Sequence, residues 1–118
     1  MSPQDRYEII YSEESVKHVL RIDRRYWNLI RDTLREQLTF QPNVRTRNRK
    51  PLERSVVITV DEDTSPSDLV DIWELRFGVR NAFRVLYRLD FDVHQVQILA
   101  VLIKVGNRYY AGDEEYEL

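Results

Sequence analysis

Three β-rich runs in close succession, spanning residues 73–105, constrain this chain more than any other feature. They read Trp73-Glu74-Leu75-Arg76-Phe77-Gly78, then Phe83-Arg84-Val85-Leu86-Tyr87-Arg88-Leu89-Asp90, then Val96-Gln97-Ile98-Leu99-Ala100-Val101-Leu102-Ile103-Lys104-Val105. Side chains alternate across a strand, so Trp73, Leu75 and Phe77 share one face and Arg76 takes the other. In the second run Phe83, Val85, Tyr87 and Leu89 share a face, which leaves Arg84, Leu86 and Arg88 opposite. The third run is apolar on both faces, as expected of a strand covered on both sides. Short links between the runs favour antiparallel neighbours. A sheet that packs one face and lines arginines along the other is suited to holding an anion such as a phosphodiester. That arginine face is expected to lie open to solvent, so that losing Arg84 leaves stability nearly unchanged.

The segments before the meander read as helices. Tyr7 to Ser12, rich in Ile and Tyr, is a short first strand. Ser12 is an N-cap, with Glu13 and Glu14 in a first turn where negative charge suits the helix dipole. Val16, Val19 and Leu20 give that helix one apolar stripe. Asp23 is the next N-cap, and Tyr26, Leu29, Ile30, Leu34 and Leu38 continue at helical spacing. The second helix should stop before Pro42, because the residue preceding a proline is pushed out of the helical region. Val56 to Val60 is another strand-like run, and 61–71 is an acidic Ser/Pro-containing connection. The fold class is therefore α+β: an N-terminal strand and a two-helix hairpin packed on a small, mostly antiparallel sheet.

At 118 residues the chain is expected to form one domain, residues 1–118, burying roughly 65% of its unfolded surface without staples. Cysteine is absent, which removes disulfides and thiolate metal sites and suits a reducing cytoplasm. No apolar run approaches the roughly 20 residues of a membrane span, and no signal-peptide pattern opens the chain. His18, read as exposed on the first helix, and His94, in a turn, lack a third ligand nearby, so no metal or other cofactor is expected. The net charge of −2 argues against nucleic acid, but its distribution does not. Residues 41–54 carry Arg45, Arg47, Arg49, Lys50 and Arg54 against one acid, Glu53. The acids concentrate in 61–74 and in the tail, Asp113 to Glu117. Four cations in six residues, Arg45 to Lys50, form an electrostatic footprint for a nucleic-acid backbone, carrying no sequence information. Arg21, Arg24, Arg25, Arg31 and Arg35 on the hairpin are interleaved with acids and read as a solvated face. Trp27 and Trp73 read as core.

The order of these parts resembles the RelE/ParE superfamily of bacterial type II toxins. The resemblance runs through the first strand, two helices ending in Gln41-Pro42, the basic stretch to Lys50-Pro51-Leu52, then Trp-Glu-Leu-Arg, Arg-Val-Leu-Tyr-Arg-Leu-Asp and Val-Gln-Ile-Leu-Ala-Val. It implies a cytoplasmic toxin held inactive by a cognate antitoxin. RelE-type members cleave mRNA in the ribosomal A site without metal; ParE-type members poison DNA gyrase. The first reading makes the ribosome and mRNA the targets. The alternatives are a gyrase inhibitor, a catalytically inactive RelE-fold binding module and, outside the family, an α+β interaction domain.

Under the ribonuclease reading, Arg84 matches the family residue that grips the scissile phosphate, and its planar fork suits bidentate pairing. Arg76 stands where relatives often place a catalytic lysine; it can stabilise charge but not act as base. Glu74 departs from a lysine found in some relatives and is either the general base or a strand glutamate paired with Arg76 or Arg84. Arg108 falls where relatives carry an arginine near the leaving group. Among Tyr109, Tyr110 and Tyr116, Tyr110 is the favoured stacking or proton-transfer residue. Arg45, Arg47, Arg49, Lys50 and Arg88 are the candidate RNA- or ribosome-binding cations.

Overall fold

The computed structural model describes residues 6–52 and 72–117. The strand expected at Val56–Val60 and the acidic connection at 61–71 lie outside them. The described elements run β1 (Glu8–Tyr11), α1 (Glu13–Leu20), a 3₁₀ turn (Arg24–Tyr26), α2 (Trp27–Leu38), β2 (Arg49–Pro51), β3 (Trp73–Phe77), a second 3₁₀ turn (Val79–Asn81), β4 (Phe83–Asp90), β5 (Gln95–Val105), β6 (Arg108–Ala111) and β7 (Glu114–Tyr116). They form one sheet in the order β2-β3-β4-β5-β6-β7, antiparallel along that path, while β1 pairs parallel with β5. This is the expected α+β arrangement.

Local chemistry sets the helix boundaries. Ser12 Oγ accepts from Ser15 N at 3.1 Å, capping α1 directly after β1, and Glu13 and Glu14 occupy its first turn. Asp23 does cap, accepting from Arg25 N at 3.0 Å, but the turn it opens is 3₁₀, and α2 begins only at Trp27. The α2 helix ends at Leu38, ahead of Pro42. Its Ile30, Leu34 and Leu38, four residues apart, are buried against Leu75, Val85, Tyr87, Ile98 and Val101. Each such side chain contributes on the order of 1.5–3 kcal/mol by leaving water.

A bulge fixes which residues share a face. Leu86 pairs with Ala100 but Tyr87 pairs with Ile98, so Leu99 is the extra residue on β5. Val96, Ile98 and Val101 face the helices, whereas Leu99, Ala100 and Leu102 join Leu86, Ile72 and Ala111 in a second cluster on the other face. The apolar character of β5 on both faces follows from these two clusters.

The outer edge of β5 is shared. β1 covers Gln95–Ile98 and β6 covers Ile103–Val105. Between them α1 supplies the missing partners: Ser12 N donates to Ile98 O at 3.0 Å, Ser12 Oγ donates to Leu99 O at 3.4 Å, and Val101 N donates to His18 Nδ1 at 3.2 Å. His18 is thus buried rather than exposed as expected, because the gap in the sheet needs an acceptor that reaches from a helix. An imidazole accepting at Nδ1 carries its proton on Nε2.

Candidate functional site

The arginine face forms around one carboxylate. Arg76 and Arg84 lie directly opposite each other on β3 and β4. Two like charges in register repel. Glu74 resolves that conflict: its Oε1 accepts from Arg76 Nε at 2.6 Å and from Arg84 Nη1 at 3.0 Å. Glu74 and Arg84 are each only 4% exposed, while the Arg76 side chain is about one-third exposed and forms the open side of the cluster. The expected solvent-open face is therefore buried at its centre. Arg84 Nε is a buried donor with no hydrogen-bond partner. Among the described residues, two guanidiniums against one carboxylate leave the cluster with net charge +1 and a spare donor, an arrangement chemically able to hold an anion.

Strand register decides which other candidates share that face. Lys50 pairs with Glu74 and Arg88 with Gln97, placing both on the Arg84 side; Arg88 Nε donates to Gln97 Oε1. Arg108 and Tyr110 do not. Tyr110 pairs with Ile103, which packs with the helix-side core, and Arg108 has the same parity. Arg108 is exposed, 3.9 Å from Glu115. Grouping Arg108 and Tyr110 with Arg84 is thus corrected by register, since one residue of offset across a hairpin exchanges the faces. The tyrosine on the Arg84 face is Tyr109, paired with Lys104 and packed beside Leu102 and Ala111. The Gly106-Asn107 link, with Gly106 at φ +62°, is a two-residue hairpin turn and was the available signal for this parity.

Arg49 is the second correction. It faces the helices, is buried, and donates through Nη1 to Gln41 O at 2.8 Å and to Gln37 O, with Nε 3.4 Å from Thr46 Oγ1. It closes the C-terminal end of α2, where carbonyls lack intrahelical partners. Arg45 and Arg47 are exposed, and Lys50 is half-buried. Asn48 O accepts from Arg76 N at 2.9 Å, which ties the basic loop to the strand carrying Arg76.

Burial also shifts ionisable groups outside the cluster. Burial pushes the Tyr87 hydroxyl up, and it donates to Pro42 O at 2.8 Å. Burial also raises Tyr116, with Glu14 adding to the effect, and lowers His18 below the ordinary histidine range. Their rings meet edge to face, 6.1 Å apart.

The chain is similar to a chain of the toxin–antitoxin complex RelBE2 from Mycobacterium tuberculosis, with a TM-score of 0.63 and 20% identity over 88% of this chain and 98% of that one. A chain of an archaeal RelE–RelB complex from Pyrococcus horikoshii OT3 gives a TM-score of 0.49 and 21% identity over 80% of this chain and 91% of that one. No protein-family profile and no curated protein sequence matches. The similarity to the RelBE2 chain shows the fold: two helices packed on a mostly antiparallel sheet, as the RelE/ParE resemblance implied.

Proposed function

We propose that this chain is the toxin of a type II toxin–antitoxin pair and a ribosome-dependent mRNA endoribonuclease in which Arg84 and Arg76 hold the scissile phosphate. The observation that carries this reading is the facing arginine pair with an unpartnered donor at Arg84 Nε, set in a fold shared with a chain of a toxin–antitoxin complex. In such a reaction the 2′-oxygen attacks phosphorus and the 5′-oxygen leaves, giving a 2′,3′-cyclic phosphate. The two guanidiniums stabilise charge on the non-bridging oxygens as it builds. Glu74, adjacent to both, takes the 2′-hydroxyl proton, and Tyr109, on that face in place of Tyr110, gives a proton to the departing 5′-oxygen. Lys50, Arg45, Arg47 and Arg88 add sequence-independent contacts to the backbone of mRNA or ribosomal RNA. The resting partner is a cognate antitoxin whose acidic groups match the basic surface.

Induced expression should stop growth and translation, with message cut inside translated codons on ribosomes and free RNA largely intact. Co-expression with the adjacent small reading frame should relieve the arrest and yield a stable complex. Failure to co-purify with that product would count against the toxin reading. One observation favours a second reading, a ParE-like gyrase inhibitor or an inactive binding module. Arg84 and Glu74 are buried, and Arg108 and Tyr110 lie on the opposite face. Inhibited supercoiling with intact message would select the gyrase branch.

A further inference from the structure

The Glu74 carboxylate sits where an incoming anion would sit. One oxygen, Oε1, receives Arg76 Nε at 2.6 Å and Arg84 Nη1 at 3.0 Å, as a phosphate oxygen between two guanidinium forks would. A carboxylate and a phosphate compete for the same N–H donors, so both cannot hold this position together. We infer that Glu74 is a resident anion that occupies the phosphate seat, making the free protein latent until a strongly positioned phosphate displaces it. This rests on Arg76 and Arg84 being phosphate donors.

Three features support displacement over a permanently closed cluster. Among the described residues the cluster keeps an excess positive charge, so it accepts an anion more readily than a balanced pair would. Arg84 Nε has no partner, leaving one donor for a ligand that Glu74 does not satisfy. Arg76, the outer member, is one-third exposed and can follow a ligand inward. Glu74 then determines specificity for context: an isolated phosphodiester must outcompete an intramolecular carboxylate, whereas RNA already anchored elsewhere presents its phosphate at high effective concentration. Once displaced, the same carboxylate stands beside the bound phosphate, free to accept a proton.

The probe is inorganic phosphate, read by thermal unfolding of the purified chain at matched ionic strength. Glu74→Gln removes the competing charge and should bind phosphate at least about tenfold more tightly than wild type, since a like charge at contact distance is removed. Glu74→Asp, too short to span both arginines, should also bind more tightly. If both variants fold and neither gains affinity, the inference is overturned. Should neither fold, the wild-type Arg76 and Arg84 Nε–H NMR signals decide. Movement under saturating phosphate supports displacement, and signals that stay fixed overturn it. On ribosomes, Glu74→Gln should lower KM and kcat together, a split that a merely structural glutamate would not produce. Failure here is separable from failure of the ribonuclease reading. If Arg84→Ala abolishes cleavage while phosphate affinity ignores Glu74, only the latency idea falls. If Glu74→Gln gains phosphate but no RNA is cut on ribosomes, the seat stands and the ribonuclease reading falls.

Discussion

The two faces of β3 and β4 are built from alternate residues of the same strands, yet they obey different rules. On one face Leu75, Phe77, Val85 and Tyr87 meet Ile30, Leu34 and Leu38, and almost everything buried is hydrocarbon. On the other, Glu74 and Arg84 are buried to a similar depth but hold each other through charge. Apolar burial is non-directional and tolerant of small shifts. A buried ion cluster costs desolvation and persists only while its geometry holds. The first face therefore rests on apolar packing alone, and the second sets a buried ion cluster beside its own apolar patch around Leu86.

Arg84→Ala should separate the faces most sharply. Breaking a buried charge pair typically costs about 3–5 kcal/mol of stability. Losing a preorganised donor costs about 10²–10³ in rate. Denaturant unfolding, together with mRNA cleavage on ribosomes measured where the variant remains folded, should show both losses. An unchanged melting temperature would mean the cluster is not buried in solution. Full activity in a folded variant would sink the site.

Leu34→Ala, on the helix face, should cost roughly 2–5 kcal/mol and leave the activity per folded molecule intact. A specific loss of activity in the folded fraction would break the division between the faces.

Arg49→Ala should release the end of α2 and cost about 1–3 kcal/mol, because the carbonyls of Gln37 and Gln41 lose their donor. Arg45→Ala with Arg47→Ala should do the reverse, leaving melting unchanged while flattening the salt dependence of RNA binding by roughly one unit of slope for each phosphate no longer neutralised. A matching salt effect from Arg49→Ala would return that residue to the RNA surface.

The smallest effect concerns His18. Its folded-state pKa lies below the unfolded value, so below about pH 6.5 the unfolded chain binds the proton first. Stability should be fully present above that value and fall as pH drops toward the folded-state pKa. His18→Gln keeps an acceptor for Val101 N–H but does not titrate at this position. Unfolding of this variant measured from pH 7 to 5 should lose the part of the slope due to His18, and an unaltered slope would exclude the histidine as its source.

How much of this was legible depended on the range of the interaction concerned. The period-2 pattern of 73–77 and 83–90 was enough to separate Arg76, Arg84 and Arg88 from the core face, because alternation is local. The Ser12 cap and the stop before Pro42 were local too. Arg49 also sits in a strand, but whether a cation in a basic run points outward depends on a helix end eight and twelve residues earlier. Arg108 and Tyr110 required parity to be carried through a bulge at Leu99 and a two-residue turn, where one residue of error reverses the answer. The burial of Arg84 and the role of His18 come from packing between distant segments. His18 meets Val101 across 83 positions, and no window along the chain contains both.

That meeting gives the sheet a particular weakness. Among the described residues, no strand lies along the outer edge of residues 99–102 of the most apolar strand; the N-terminal end of α1 and one imidazole stand there instead. Where a neighbouring strand would seal the ladder with repeated bonds, a helix does so at a few points. Lifting α1 bares an aliphatic edge able to pair with the same edge of another copy. Undocking of α1, rather than fraying of a strand, is therefore the opening expected to expose this edge, and the amide of Val101 is the hydrogen-exchange probe that would report it.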